Sequence, residues 1–350
     1  MHKWKNGSAA ALLIALTGCG GGDSGGGTSA TVPVVTAPTP APSPAPAASP
    51  SPTPTPTPSP TPTATPTTWA GAAAAMYDVQ PDVAGCRAGT LKASVKADFL
   101  ARLNAIRALH GLTAVTYSDV EDAQEAESSL MMAVNKQLSH TPPSSWTCYT
   151  SGGATAAGAS NLVGGWGTGL GFDSEDDYLG MWLNETNSAS IGHRRWILSP
   201  FLGKTSYGRV AVILPDGSRA SAASMRVFSF SGGVAAPASI PGYVAYPSGD
   251  YPARYFDPSS YLSFSAIADT RNAFGDNAKV GYASATITVT GPSGNLAVSE
   301  VSSDNNGYGV ANSVQWRVTG LQRGVTYTVK IAGVTGAPQR DYSYTFRVVS

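Results

Sequence analysis

The sequence predicts an α+β fold: three or four helices on a small antiparallel sheet, followed by a C-terminal all-β sandwich. Apolar residues recur at helical spacing in several segments between residues 92 and 200. After Pro200 the pattern changes to short apolar or alternating runs separated by turn residues. Helices and strands are thus segregated along the chain, which is typical of layered α+β proteins rather than of alternating βαβ units.

The first two helices are predicted from their apolar faces and their end signals. Lys92–His110 carries a buried stripe and stops at Gly111, and we expect His110 to be a surface residue near the last carbonyl groups. The second helix begins at a capping box, Ser118–Glu121, and ends before Pro142 and Pro143, so that His140 lies at its C-terminus. The stripe of the first helix is Val95, Phe99, Leu103 and Ile106, and the inner face of the second is Ala123, Ala126, Leu130, Val134 and Leu138.

Most of the chemistry-bearing residues are concentrated in Asp176–Pro200. Ser174 caps a helix in which Tyr178, Met181, Trp182 and Glu185 share one face. A second short helix carries His193, and we expect Glu185 and His193 to meet across the intervening turn. Trp182 and Trp196 are expected in the core. Arg194 and Arg195 are expected at the surface, one of them paired with an acid among residues 175–177.

The remaining segments are predicted to be loops or strands. Thr150–Gly171 is rich in Gly, Ala and Ser and is predicted to be a loop, with one ordered turn at Ser160–Val163. Pro and Gly in Ala235–Tyr251 mark a domain boundary, so we predict domains at residues 69–235 and 236–350. The predicted strands are Tyr207–Leu214, Met225–Phe230, Ala285–Thr290, Ser313–Thr319, Thr326–Ile331 and Tyr342–Val349.

The N-terminus predicts export. Lys3 and Lys5 precede the short apolar run Ala9–Leu16, and residues 1–18 are predicted to be a signal peptide. Leu16-Thr17-Gly18-Cys19 resembles a bacterial lipobox, which implies lipidation of Cys19 and attachment to the cell envelope, in a Gram-negative cell the outer membrane. A plain signal peptide with a chance cysteine is the alternative. Residues 19–68, first Gly-rich and then Pro/Thr-rich, are predicted to be a disordered tether.

The cysteines and the charge narrow the class of protein further. If Cys19 carries lipid, Cys86 and Cys148 remain, and in an oxidising compartment they most simply form a disulfide. Two buried free thiols are the alternative. The 22 basic and 22 acidic residues balance, and no Lys/Arg run occurs beyond the N-terminus. A nucleic-acid partner is therefore not expected.

Four features in order resemble the CAP superfamily, which includes cysteine-rich secretory proteins, antigen 5 and plant pathogenesis-related proteins. They are Asn104-x-x-Arg107, Ser139-His140, Trp182-x-x-Glu185, and Gly192-His193 leading to Tyr207-Gly208. The wording of Gly192–Pro200 resembles the bacterial, SCP-like branch. The resemblance implies secretion, an α-β-α sandwich, and a central cleft with two His and two Glu that binds zinc in some members.

Carried over to this sequence, the resemblance places His140, Glu185 and His193 in the cleft. Ser160 stands where the family has its other Glu, with Asn161 beside it. Two imidazoles and one carboxylate suffice to coordinate zinc with open positions for water, and such water could act in hydrolysis. The same three residues are therefore candidates for metal binding and for catalysis. The alternative is a hydrogen-bonded polar cluster that only holds the helices together.

These observations predict a lipid-anchored extracellular CAP-domain protein, a surface binding module whose His/Glu cleft takes a small ligand or a divalent metal, zinc above all. Its partners would be the membrane, through the lipid, and a lipid, glycan or protein ligand. A metal-dependent peptidase or esterase using the same cleft is one alternative. A cell-envelope adhesin or spacer is the other, in which C-terminal aromatics make the contacts. We expect those aromatics to pack internally; they are Tyr243, Tyr246, Tyr251, Tyr255, Phe256 and Tyr261.

Overall fold

The computed structural model describes residues 68–186, 188 and 190–350. The predicted signal peptide, the lipidation site Cys19 and all but the last residue of the predicted tether lie outside the described residues. The described residues form a single unit, and its largest cluster of buried apolar side chains has members on both sides of residue 235. The predicted domain boundary at this residue stays a prediction. Among the described residues we find no helix with the length and apolar character needed to span a membrane.

The helices lie in the first half of the described chain and bear out the α+β class. The helix that carries the apolar stripe spans Ala93–Leu109, and Phe99, Leu103 and Ile106 are fully buried as predicted. Ser174 caps the later helix with its hydroxyl group, also as predicted. The helices of the described chain are α1 Trp69–Ala75, α2 Ala93–Leu109, α3 Asp122–Asn135, α4 Ser151–Gly158, α5 Glu175–Asn184 and α6 Gly192–Ile197.

Helix α3 differs from its prediction in its start, its end and its inner face. It begins at Asp122, after a short 3₁₀ turn, and Ser118 makes no capping hydrogen bond, so the predicted capping box was wrong. It ends at Asn135 because Lys136 adopts a left-handed conformation, with φ of 50°. His140 therefore lies five residues beyond the helix and not at its C-terminus. The buried face includes Glu125, Ser128 and Ser129, whereas the predicted inner residue Ala123 is exposed. An apolar pattern could not identify this face, because its polar members are buried against the sheet.

The central sheet is antiparallel with strand order β4-β7-β6, where β4 is Ser160–Gly167, β6 is Tyr207–Ile213 and β7 is Arg219–Arg226. The prediction of a loop at residues 150–171 was wrong, since α4 and β4 occupy most of it. The strand predicted at Met225–Phe230 was placed too late in the chain, because β7 ends at Arg226 and shares only Met225 and Arg226 with the prediction. Small residues are needed here for packing: a Cβ on Gly153 would lie 2.9 Å from Met131, and one on Gly208 would lie 2.2 Å from the backbone of Glu125.

Two minor ribbons complete the first half of the chain. They are antiparallel β1 Tyr77–Val79 with β2 Thr90–Leu91, and parallel β3 Thr116–Tyr117 with β5 Lys204–Thr205. Asn104 also shapes this region, because its side-chain amide both donates to the Val115 carbonyl and accepts from the Val115 N–H. The predicted disulfide is confirmed: Cys86 and Cys148 are bonded, and they tie the segment before α2 to the segment after α3.

Two further sheets form the C-terminal region, with strand orders β13-β14-β10-β8 and β12-β11-β15-β16-β9. Phe264 of the first sheet contacts Tyr342 of the second, with ring centroids 5.0 Å apart, so the inner faces of the sheets pack together. Five of these strands had not been predicted, namely β8, β9, β10, β12 and β13. The strands are β8 Tyr243–Tyr246, β9 Gly249–Pro252, β10 Leu262–Ala266, β11 Thr286–Gly291, β12 Gly294–Asn295, β13 Val298–Asp304, β14 Ser313–Val318, β15 Thr326–Ala332 and β16 Asp341–Val349.

Candidate functional site

Glu185 and His193 meet where α5 ends and α6 begins. Glu185 caps α5 in a left-handed conformation, with φ of 41°. Its Oε1 lies 2.9 Å from Nδ1 of His193, and its Oε2 accepts a 3.0 Å hydrogen bond from the backbone N–H of Arg194. Asn161 holds the other side of this segment by donating to the His193 carbonyl at 3.0 Å. The geometry therefore fixes the His193 ring between a carboxylate and the central sheet.

His140 reaches the same place from the segment after α3. Its ring centroid is 6.4 Å from that of His193, with 39° between the ring planes. Nδ1 of His140 lies 2.7 Å from the Ala157 carbonyl at the end of α4. His140 is exposed and His193 is half-buried, whereas the Glu185 carboxylate is buried. The two imidazoles thus form the open side of the site, and Glu185 lies behind His193.

The acceptors fix the tautomer of each imidazole. A carbonyl or carboxylate oxygen can only accept a hydrogen bond, so Nδ1 of His140 and Nδ1 of His193 must both carry a proton. In each neutral ring the proton is then on Nδ1, and Nε2 keeps a lone pair. Such a lone pair can bind a metal or accept a hydrogen bond from a ligand.

The electrostatics favour a charged Glu185 and a neutral His140. Burial raises the pKa of Glu185, but the charge of His193 and the hydrogen bonds from His193 and the Arg194 N–H outweigh it, so this pKa lies below its usual value. Partial burial of the His140 ring and repulsion from His193 lower the pKa of His140, although the Ala157 carbonyl opposes them. At neutral pH the site therefore presents His140 as a neutral imidazole.

Both carboxylate oxygens of Glu185 accept hydrogen bonds, from His193 and from the Arg194 N–H. This limits their use as metal ligands. Among residues 68–186, 188 and 190–350, no group of three His, Cys, Asp or Glu is placed to hold a metal ion. The structure brings His140 and His193 together and puts Glu185 on the Nδ1 side of His193. Glu185 is thus positioned to orient the His193 ring, as carboxylates behind metal-bound histidines do.

The Ser160 hydroxyl at the start of β4 contacts a buried carboxylate of α3, that of Glu125. The hydroxyl donates to Glu125 Oε2 at 2.8 Å, and Ser224 donates to the same oxygen. Arg226 donates to Oε1 of Glu125 at 2.8 Å, and both side chains are almost fully buried. The sequence analysis missed Glu125 and Arg226. The only signal available was an acid next to the inner face of a helix, which does not identify its partner.

Three predictions about neighbouring residues were wrong. His110 is buried: Nδ1 lies 2.9 Å from the Ala245 carbonyl and Nε2 lies 3.2 Å from the Tyr251 hydroxyl. Arg194 and Arg195 are 1% and 6% exposed and do not form a surface pair. Neither pairs with the acids at 175–177, because these carboxylates bond elsewhere; Glu175 pairs with Arg209 and Asp176 with Arg102 and Arg254, while Asp177 belongs to the capping box of α5.

The burial of the tryptophans and of the C-terminal aromatic residues is closer to what the sequence predicted. Trp182 is buried and donates from Nε1 to the Leu162 carbonyl at 3.0 Å. Trp196 is half-buried and packs on the partly exposed Phe228. In the C-terminal aromatic set, Tyr243 and Tyr261 are half-buried. The other four are buried, namely Tyr246, Tyr251, Tyr255 and Phe256. This set is mainly internal packing, as predicted.

A comparison with protein families matches residues 100–210, from α2 to β6, to the CAP family, described as the cysteine-rich secretory protein family. The matched segment contains His140, Ser160, Glu185 and His193. The match over this segment supports membership of the CAP superfamily. A search of curated proteins gave no match.

The CAP domain makes this protein a general interaction module of the extracellular type. CAP proteins are typically extracellular, and the Cys86–Cys148 bond is typical of an oxidising compartment. Ser160, which the resemblance placed at the position of a family Glu, donates its hydroxyl to Glu125.

Proposed function

We propose that this protein is an exported CAP-domain binding module whose cleft binds a divalent transition metal, zinc foremost, through His140 and His193. The observation that supports it is the shared tautomer: each Nδ1 is held by an oxygen acceptor, so each Nε2 lone pair is available. Imidazole is a preferred ligand of zinc, copper and nickel, whereas magnesium and calcium prefer oxygen ligands. The donor set therefore favours zinc over magnesium.

The spacing of the rings supports the same proposal. Zinc lies about 2 Å from each imidazole nitrogen, so rings with centroids 6.4 Å apart reach one ion with small side-chain movements. The His140 residue lies on the exposed side of the site, where an ion can reach it. Glu185 would act behind His193, where it fixes the ring and raises its basicity. The remaining coordination positions would be filled by water or by a ligand atom.

Binding is favoured over hydrolysis as the function of this cleft. A hydrolase needs a base to take a proton from the attacking water. Both Glu185 oxygens are committed, to His193 and to the Arg194 N–H, and the Ser160 hydroxyl is committed to Glu125. For Glu185 to serve as base, it would first have to release the residue that it positions.

Zinc titration of the full chain by calorimetry tests the proposal. We expect the parent to bind one zinc and no magnesium, and His140→Ala and His193→Ala each to weaken zinc binding at least about tenfold. Glu185→Gln should weaken it about 10-fold to 100-fold, as for other residues behind a ligand. His110→Asn is the matched control, because it removes a buried imidazole elsewhere and should leave zinc binding unchanged. Absence of zinc uptake by the parent, or zinc affinity in both alanine variants equal to that of the parent, would contradict the proposal.

We also propose that the module is held at the cell envelope by a lipid on Cys19. The order of basic residues, apolar run and Leu16-Thr17-Gly18-Cys19 supports this. Expression with a labelled fatty acid should label the parent and leave Cys19→Ser unlabelled, with the variant released into the medium or the soluble extracellular fraction. Equal labelling of the two proteins would refute the anchor.

A further inference from the structure

The segment that carries Glu185 and His193 is bonded to the C-terminal sheets through Arg194. The Arg194 guanidinium stacks on the ring of Tyr246 in β8, 3.9 Å from its centroid. Its Nη1 donates to the Tyr261 carbonyl at 2.7 Å and to the Ser263 hydroxyl at 3.3 Å. The residue beside His193 thus reaches across to strands more than fifty positions away in the sequence.

The same arginine also holds the end of α5. Its Nε donates to the Leu183 carbonyl and its Nη2 to the Asn184 carbonyl at 3.0 Å. Its backbone N–H donates to Glu185 Oε2. Arg194 therefore contacts the C-terminal strands, the last turn of α5 and the Glu185 carboxylate at once. A shift of its side chain would move the partners that fix the His193 ring.

Neighbouring contacts reinforce this link. Asn184 Oδ1 accepts a 2.6 Å hydrogen bond from the Asp257 N–H. Arg317 in β14 donates to the Thr186 carbonyl at 3.0 Å. Arg195 forms a two-oxygen ion pair with Asp304 at 2.8 and 2.9 Å. Glu185 sits within this framework in a left-handed backbone conformation, which costs a non-glycine residue free energy and persists only where surrounding contacts impose it.

We propose that Arg194 is a positioning residue of the cleft and that the C-terminal strands form a structural part of it, by holding Glu185 and His193 in their paired geometry. The effect of Arg194 on ligand affinity rests on the proposed metal-binding function. Its effect on the geometry of the Glu185–His193 pair does not depend on that function. The C-terminal region would then tune the affinity of a site to which it contributes no ligand.

A matched pair of substitutions at Tyr246 tests the link from the C-terminal side. Tyr246→Phe keeps the ring under Arg194, whereas Tyr246→Leu removes it, and both lose the hydroxyl bond to the Tyr255 carbonyl. Arg194→Lys keeps the positive charge but removes the guanidinium group, which donates hydrogen bonds to several carbonyls. Arg209→Lys is its control, since Arg209 is equally buried but its guanidinium is ion-paired with Glu175.

Two measurements on the full chain read out the effect. Nitrogen-15 spectra of the metal-free protein at one fixed pH report the tautomer of each imidazole. We expect Tyr246→Leu and Arg194→Lys to replace the fixed Nδ1–H form of His193 by a mixture. His140, held by Ala157, should keep its form, and so should both rings in Tyr246→Phe and Arg209→Lys. Zinc affinity should fall about threefold to tenfold further in Tyr246→Leu than in Tyr246→Phe, less than for a directly bonded second partner.

The outcomes separate the two proposals. An unchanged His193 tautomer in Tyr246→Leu and Arg194→Lys would overturn the positioning role. Equal changes at His140 and His193 would also overturn it, because they would indicate general loosening of the fold. If the parent binds no zinc, the proposed function fails, and the His193 tautomer still decides whether Arg194 positions the pair.

Discussion

Acidification is predicted to weaken the attachment of α2 to the C-terminal region, through His110. This residue follows α2, donates from Nδ1 to the Ala245 carbonyl of β8, and accepts at Nε2 from the Tyr251 hydroxyl of β9. Burial lowers its pKa to about 4, helped by the charges of Arg107 and Arg194 and opposed by the Ala245 carbonyl. Protonation would place a hydrogen on Nε2, which in the neutral ring accepts a hydrogen bond from the Tyr251 hydroxyl, so this bond would be lost.

The sign and size of the effect follow from the two pKa values. The unfolded chain binds this proton at a pKa of about 6.5, and the folded chain only at about 4. Between these values the unfolded state holds more protons, so stability falls as the pH falls. The difference of about 2.5 units, at about 1.4 kcal/mol per unit, corresponds to about 3 kcal/mol. The stabilisation is complete above pH 6.5 and is lost as the pH falls to about 4.

Urea unfolding of the parent and of His110→Asn from pH 7.5 to pH 4.5 measures this contribution. Asparagine keeps a donor near the Nδ1 position and does not titrate. We expect the free energy of unfolding of the parent to fall by about 2 kcal/mol more than that of the variant over this range. Equal pH dependence in the two proteins would refute the argument.

Two further predictions concern stability. Glu125→Gln should lower the free energy of unfolding by about 3–5 kcal/mol, because it leaves Arg226 buried without its counter-charge; a loss below about 1 kcal/mol by urea unfolding would contradict the assigned pairing. Reduction of the Cys86–Cys148 bond, which closes a loop with a sequence separation of 62, should cost about 4 kcal/mol by the loop-entropy relation; an unchanged melting temperature on reduction, with both thiols shown to be free, would contradict it. Cys86→Ser with Cys148→Ser is the control for effects of the reductant.

The elements that could be predicted from the sequence are those whose buried residues are apolar and regularly spaced. Helix α2 followed from Phe99, Leu103 and Ile106, which are fully buried. Strand β16 followed from alternation, and its side chains do alternate between buried and exposed. The same pattern failed for α4 and β4. Small residues there allow close contact with α3 and β7, as the space around Gly153 shows, and the same composition is typical of loops.

The candidate site was predicted in part for the same physical reason. Glu185 and His193 are eight positions apart, close enough for local helix geometry to bring them together. His140 could be joined to them only through the resemblance to the CAP superfamily. Glu125 and Arg226 meet across 101 positions, and spacing within one segment contains no information about such a pair. Polar residues of this kind look like surface residues until their partners are known.

The buried arginines show why this matters for the cleft. Arg107 is fully buried and bonds only to carbonyl oxygens, including those of Ile197, Ser199 and Leu202 at 2.8–3.2 Å. Burial without a counter-charge lowers its pKa to about 10. Arg107 of α2 thus holds the end of α6, while Arg194, at the beginning of α6, reaches out to α5 and to the C-terminal region. His193 lies on this six-residue helix, so the helix that carries the ring is fastened at both ends by buried cations, and not by its own backbone bonds alone.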